Sequence, residues 1–295
     1  MANLKEVRTR IASVSSTQQI TSAMKMVSAA KFRRAQNAII GMRPYAAQLQ
    51  EIIGDIDVGD GIQTPYHAVR PVQRVALVVV TSNKGLCGAF NSNVLKLAQQ
   101  RLDHWRAQGV AIRVVALGKK ASEQLVRQRD LQVESHDELL DSPAFDSVAA
   151  LADSLMEDYA AKRLDRVELI YNQFKNSLSQ VLTCEPWLPV ENRSAQSNLN
   201  NRSNRSGLAN DYIFEPSKEE ILREMIPLTL RSTFYRVVLD SLAAEHGARM
   251  TAMQKATDNA TELLKDLRLN YNKARQAAIT NEIIEIVSGS EALNG

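Results

Sequence analysis

The C-terminal end of the chain constrains the rest. Between Leu228 and Val287 there is no proline, and no glycine after Gly247. Such a stretch reads as one helix of about 60 residues, about 90 Å long at 1.5 Å per residue. Within it Ala260, Leu264, Leu267, Tyr271, Ala274 and Ala278 recur at alternating steps of four and three. That is a coiled-coil seam, with small residues that let a partner helix come close. A helix of this length cannot bury itself within a compact domain, so the seam needs a second helix.

The N-terminus supplies one. Asn3 with Glu6 has the form of a capping box, and Leu4, Val7, Ile11 and Val14 follow at three-four-three spacing. Ser15 to Gln19 interrupt the stripe. It resumes at Ile20, Ala23, Val27 and Ala30, one position out of phase, which predicts a local change in supercoil. The helix is expected to run to about Asp57 with a bend at Gly41 to Pro44. If the ends of a compact middle domain lie close together, the two helices pair antiparallel.

Between them the hydrophobic period changes. A linker over 58–73 carries Gly59, Gly61, Pro65 and Pro71. Arg74 to Thr81 is apolar on both faces, as in a parallel sheet. A turn, Ser82 to Gly88, leads into an amphipathic helix with Val94, Ala98, Leu102 and Trp105 on one side. Further strands are predicted at Val110 to Leu117, Arg166 to Tyr171 and Leu178 to Cys184. Helices are predicted at Lys120 to Arg129 and Val148 to Lys162. Residues 192–210, rich in Asn, Ser and Arg, read as a polar surface loop, and Tyr212 to Phe214 as an edge strand. Ser217 with Glu220 caps the next helix, Pro227 is expected to kink it, and Ser288-Gly289 to end the long one. Alternating strands and helices imply a Rossmann-like open α/β domain. The expected fold is thus α/β with long helices. An N-terminal shaft helix over 1–57 pairs antiparallel with a C-terminal one over 216–295, and the α/β globular domain occupies 58–215.

Composition excludes several functions. Aromatics are 5% of the chain, which suits long Ala/Leu/Ile/Met helices better than a large all-β core. The net charge of +3 is bland, but from Leu4 to Arg43 eight Lys and Arg face the single acid Glu6, so an acidic partner is expected. Cys87 and Cys184 are too few for a disulfide scaffold and fit a reducing compartment. No apolar run is long enough for a membrane span, and no signal or transit peptide is expected before the first helix.

Motifs for chemistry are weak. Gly118-Lys119 lacks the glycine of a P-loop five residues earlier, where Arg113 stands. The Lys84 to Gly88 turn sits between strand and helix, where phosphate can bind, yet reads first as a tight structural turn. Cys87 near a helix start could be a nucleophile, but none of His67, His104, His136 and His246 has an evident orienting partner. No His/Cys/acid group has metal-ligand spacing, and methionines such as Met24, Met26, Met250 and Met253 are more often packing than function. A nucleic-acid-binding coiled coil is a competing reading of the basic helix. Its only aromatics are Phe32 and Tyr45, so base stacking is not expected.

Longer motifs carry a resemblance. Ile20 to Lys31 (ITSAMKMVSAAK), Lys84 to Gly88 with Asn91, Glu245-His246 through Ala260, and Tyr271 to Gln276 continuing to Gly289 stand in the order seen in the γ subunit of F-type ATP synthases. The chain resembles that family end to end. The resemblance implies a central-stalk rotor subunit with no active site, cofactor or metal of its own. It would transmit torque between a membrane ring and a catalytic hexamer in a proton-translocating complex. Implied partners are the α and β subunits, ε and the c-ring, with no nucleic acid. The implied location is peripheral, on the cytoplasmic face of a bacterial plasma (inner) membrane. Met24, Lys25, Arg249 and Gln276 are implied as shaft contacts to β, and Lys84 and Cys87 as contacts to ε or β. Past Ala278 the seam stops, and Ile279, Ile283 and Ile286, flanked by Ile284 and Val287, make a broad apolar face. Core packing is one reading; the other is a tip turning in an apolar sleeve of the hexamer. The cysteine-bearing insertion of chloroplast relatives is not found, so thiol regulation is not expected.

Overall fold

A computed structural model describes residues 4–56, 64–128, 130–176, 179–190, 215 and 217–294. Asn3, the 192–210 loop, Tyr212 to Phe214, Leu178 and the first half of the linker lie outside the described residues. The chain forms two compact units, Met1–Ala29 with Arg249–Gly295, and Ala30–Ala248.

The first unit is built from the N-terminal part of α1 (Leu4–Ile56) and the C-terminal part of the last helix, α5 (Lys218–Asn294). Gln18 Nε2 donates to Thr261 Oγ1 at 2.7 Å, and the hydroxyls of Thr21 and Thr257 lie 2.9 Å apart. Moving up α1 therefore moves down α5, so the helices are antiparallel. On α5 the seam is as expected from Ala260 to Ala274 and extends back through Thr257 to Met253, while Ala278 is exposed.

On α1 the phase slip does not occur. Leu4, Val7, Ile11, Val14, Gln18, Thr21, Lys25 and Ser28 are the shielded positions, in unbroken three-four alternation. Ile20 and Val27 instead stand 59% and 58% exposed, and Ala23 and Ala30 also face solvent. The seam keeps its phase because its polar members are satisfied within it. Gln18 and Thr21 bond across to α5, and the Ser28 hydroxyl donates to the Met24 carbonyl at 2.8 Å. A buried polar group with a partner costs little.

The second unit holds a five-stranded sheet in the order β3-β2-β1-β4-β5: β1 Arg74–Val80, β2 Ala111–Leu117, β3 Gln132–Ser135, β4 Arg166–Phe174 and β5 Gln180–Leu188. The β1–β2, β1–β4 and β2–β3 pairings are parallel, and β5 runs antiparallel to β4, with Ile170 opposite Cys184. On one face α2 (Phe90–Ala107) and α3 (Lys119–Leu125) cover Val75, Leu77, Val79, Val114, Ala116 and Ile170. On the other, α4 (Phe145–Ala160) and α5 residues from Leu222 to Leu242 cover Ala76, Val78, Val80, Leu169 and Tyr171. Both faces of β1 are thus buried, which is why its sequence is an unbroken apolar run.

One expectation about breaks is corrected, at Gly289, and the chain stays helical where a kink and a bend are expected. The chain stays helical through Pro227, because Leu222, Ile226, Leu230 and Phe234 on either side are buried against the sheet and outweigh the lost hydrogen bond. Gly289 does not end α5, since a helical glycine costs only about 1 kcal/mol and the helix runs on to Asn294. α1 runs through Gly41 and Pro44, where a bend is expected, and reaches Ile56. The cap at Ser217 is present, with the Glu220 amide donating to its hydroxyl at 3.2 Å. The short edge strand β3 had no counterpart in the sequence reading: QVES offers no apolar run and is held by backbone pairing to β2.

Candidate functional site

In open sheets of this order, ligands bind outside the strand C-termini where the chain reverses its direction of winding. Here that point lies between β1 and β4, and it is filled by the chain itself. Cys87 and Phe90 from the β1–α2 connection meet Ala244 and Ala248 of α5, with Phe174 from the end of β4 packed alongside. The polar groups nearby are occupied by one another. Asn91 accepts from the Ser82 amide at 3.0 Å and donates to the Ser82 hydroxyl at 2.8 Å and to Cys87 Sγ at 3.3 Å. Asn172 donates to the Phe90 carbonyl at 3.2 Å. Gly118 owes its place to packing: a Cβ there would lie 2.5 Å from the Thr81 carbonyl oxygen, and its φ is +105°. The Gly-Lys pair is a close backbone approach rather than a phosphate cradle.

The turn sorts its side chains. Leu86 adopts φ +64°, a costly region for a branched residue, and Gly88 follows at +62°. The result puts Lys84 and Leu86 outside and Cys87 inside. Cys87 is therefore not placed as a surface contact, nor as a nucleophile. Its sulfur meets the Asn91 amide and, at 3.7 Å, the Ser82 hydroxyl, neither of which is a base. Leu86 was not singled out from sequence, because nothing in its residue type signals a positive φ.

The buried charge cluster of this unit is structural. Glu168, 1% exposed, accepts from Arg101 at 2.7 and 2.9 Å, from Arg166 at 2.9 Å and from Trp105 Nε1 at 3.4 Å. Burial pushes its carboxyl up, but these bonds and the Arg101 charge outweigh that and hold it below the ordinary carboxylate range. The Cys184 thiol beside it is pushed up to about 11 by burial and by the Glu168 charge, so it is not a reactive thiolate. Among the described residues no His, Cys, Asp and Glu group is placed to hold a metal ion. Among the described residues no helix is long and apolar enough to cross a membrane.

The remaining sequence-derived residues lie in the paired-helix unit. Lys25 stands half-buried in the seam with Met24 half-buried next to it, and among the described residues no ion pair engages Lys25. Arg249 is 8% exposed and interacts within the chain, whereas Gln276 is exposed. Going down α1 from Thr21 while going up α5 from Thr257 brings Leu4 level with Ala274. Beyond that level α5 has no seam partner in the described part of α1. Ile279, Ile283, Ile284, Ile286 and Val287 all stand exposed there, Ile286 at 67%. Core packing of the tip is thereby excluded within the described chain.

A sequence profile described as ATP synthase matches residues 3–293. The ATP synthase gamma chain of Flavobacterium johnsoniae is 52% identical over the whole of both chains. That of Bacteroides fragilis is 46% identical over 99% of this chain and all of its own. Among solved structures, the central stalk and c-ring assembly of the Tetrahymena thermophila mitochondrial ATP synthase contains a chain similar at 28% identity and TM-score 0.57. That match covers 80% of this chain and 99% of the other. A chain of the Euglena gracilis mitochondrial ATP synthase shares the fold at TM-score 0.69 and 20% identity, over 98% of this chain and 94% of its own.

Proposed function

The chain belongs to the gamma-chain family of ATP synthases and is a central-stalk subunit, and from that premise we propose that it works as a torque-transmitting rotor without catalytic chemistry of its own. The paired helices suit that role. An antiparallel seam of Leu, Val, Ile and Ala closed by two cross-helix polar pairs is stiffer than a loop. The observation that carries the proposal is the isoleucine-rich end of α5, which continues past the level of Leu4 with its apolar side chains uncovered. An exposed apolar surface of this kind marks an interaction site. Ile279, Ile283 and Ile286 would turn against an apolar sleeve of the α and β subunits, a contact with few directional bonds to break as it slides.

Met24, Lys25, Arg249 and Gln276 are proposed as shaft contacts to β. Lys25 can offer its ammonium to a partner carboxylate; Arg249, largely buried, would act mainly by holding its surroundings in place. Lys84, together with Leu86, is proposed to meet ε or β, with Cys87 holding their turn from inside. On this reading 1–57 and 216–295 form the shaft and 58–215 the globular part seated on ε and the c-ring. The complex sits at a membrane, with the chain peripheral on the cytoplasmic face of a bacterial plasma membrane, and it couples proton flow to ATP synthesis.

The test is ATP hydrolysis by α and β subunits of the same source, with and without this chain, with Lys25→Glu and with a version lacking 279–295. The chain alone is expected to be inert, to raise turnover when it joins the complex, and to lose that effect in part with Lys25→Glu. A chain that neither joins the complex nor alters turnover would falsify the rotor reading and leave nucleic-acid binding as the next reading to test.

A further inference from the structure

The unit spanning Ala30–Ala248 contains the lower part of α1 and the part of α5 that packs on the sheet. These two helix segments are held very differently. From Leu222 to Leu242, α5 contributes seven buried apolar side chains to one face of the sheet. On α1, Ile39 forms a small cluster with Leu239 and Ala243 of α5, with Ala35, Met42, Tyr235 and Phe174 packed on it, and Leu49 is buried apart from it. Phe174, the last residue of β4, is the one strand residue in that cluster. Its ring also meets the Phe32 ring edge-on, at 5.4 Å between centroids and 64° between planes. The same side chain packs on the separate cluster of Cys87, Phe90, Ala244 and Ala248.

We infer that Phe174 is a positioning residue that keys the α1 segment of this unit to the sheet, so that the α1 and α5 segments here move with the strands as one body; this rests on the rotor reading above. Three features make it a suitable key. The clusters it packs on include Ala243, Ala244 and Ala248 of α5, whose small side chains leave room for a large ring. Its own base is fixed, because Asn172, two residues earlier on the same side of β4, is buried and bonded to the first residue of α2. The turn after it is closed by the Ser179 amide donating to Asn176 Oδ1 at 2.6 Å. A ring that packs on both clusters and meets Phe32 edge-on resists sliding of α1 along the sheet, whereas Ile39, Leu239 and Ala243 tie α1 to α5 and not to the strands.

The experiment is single-molecule observation of the assembled complex, with a bead on the globular part and the nucleotide sites locked in one dwell. The angular variance of the bead reports torsional stiffness. Because α5 keeps its own seven-residue hold on the sheet, Phe174→Ala should raise that variance by less than about twofold, while Phe174→Leu, which keeps much of the contact, falls between it and wild type. Leu102→Ala is the control. It cavitates the core between α2 and the sheet, touching neither long helix, and should leave the variance at the wild-type value. Should Phe174→Ala not assemble, Phe174→Leu alone must exceed wild type. The inference is overturned if neither Phe174 variant raises the variance, or if Leu102→Ala raises it equally. Absence of any rotation with the wild-type chain would instead sink the rotor reading itself.

Discussion

Glu168 shows what single residues do in this molecule. It is an acid in the middle of a parallel strand, and it is tolerated because Arg101 and Arg166 reach it from α2 and from its own strand. Glu168→Gln leaves those guanidinium groups without their carboxylate. Because both keep about a quarter of their surface in water, the cost should be about 2–3 kcal/mol, below the full figure for a broken buried pair, measured by denaturant unfolding. The pH dependence follows from the direction of the shifts. Glu168, Glu134 and Asp158 are all held below their ordinary values. For Glu168 and Asp158 burial works against that shift and the arginine bonds overcome it, while for Glu134 the Arg113 bond is itself the largest effect. Depressed carboxylates contribute stability that is fully present above the unfolded-state pKa of about 4 and is lost as pH falls through the folded one. Melting temperature should therefore drop between about pH 5 and about pH 2, and drop less steeply in Glu168→Gln. At Gly118, alanine would meet the Thr81 carbonyl and an unfavourable φ together, so Gly118→Ala should cost at least about 2 kcal/mol in the same assay. Neither residue role was legible beforehand: Glu168 looks like any surface acid, and Gly118 was weighed only as part of a failed P-loop.

At the scale of elements, the seam of α1 separates hydrophobicity from burial. A stripe reader follows Ile20 and Val27, and the structure exposes both. Ile11→Ser should therefore destabilise the isolated chain by about 1–2 kcal/mol, since Ile11 lies in the shielded phase. Val27→Ser should change it by less than about 0.5 kcal/mol. Equal effects of the two substitutions in thermal or denaturant unfolding would contradict the continuous register. The α5 seam was legible because its members from Ala260 to Ala274 are apolar and in phase. That of α1 was not, because Gln18 and Thr21 count as polar until their partners on α5 are known. The strand β1 was readable as a doubly buried apolar run, and β2 and β4 as strands alternating with helices, while β3 exists only because β2 offers it an edge.

For the molecule as a whole, the uncovered end of α5 is the feature that isolated folding cannot explain. Ile283→Glu should leave the melting temperature of the free chain unchanged, because the side chain is 55% exposed there. In the assembled complex the same change should weaken retention of the chain on gel filtration and lower hydrolysis, since a carboxylate would have to enter an apolar contact. The sequence by itself determined the two long helices, their need for each other, the α/β class of the middle and the family. These rest on periodicity, on apolar runs and on motifs that recur in order along the chain. Tertiary structure alone decided the phase of the α1 seam, the inward turn of Cys87, the plug where an α/β sheet would hold a ligand, and the meeting of both helices on Phe174. Each of those depends on which distant groups come together, and a hydroxyl, a thiol or a ring has no burial of its own until its neighbours are in place.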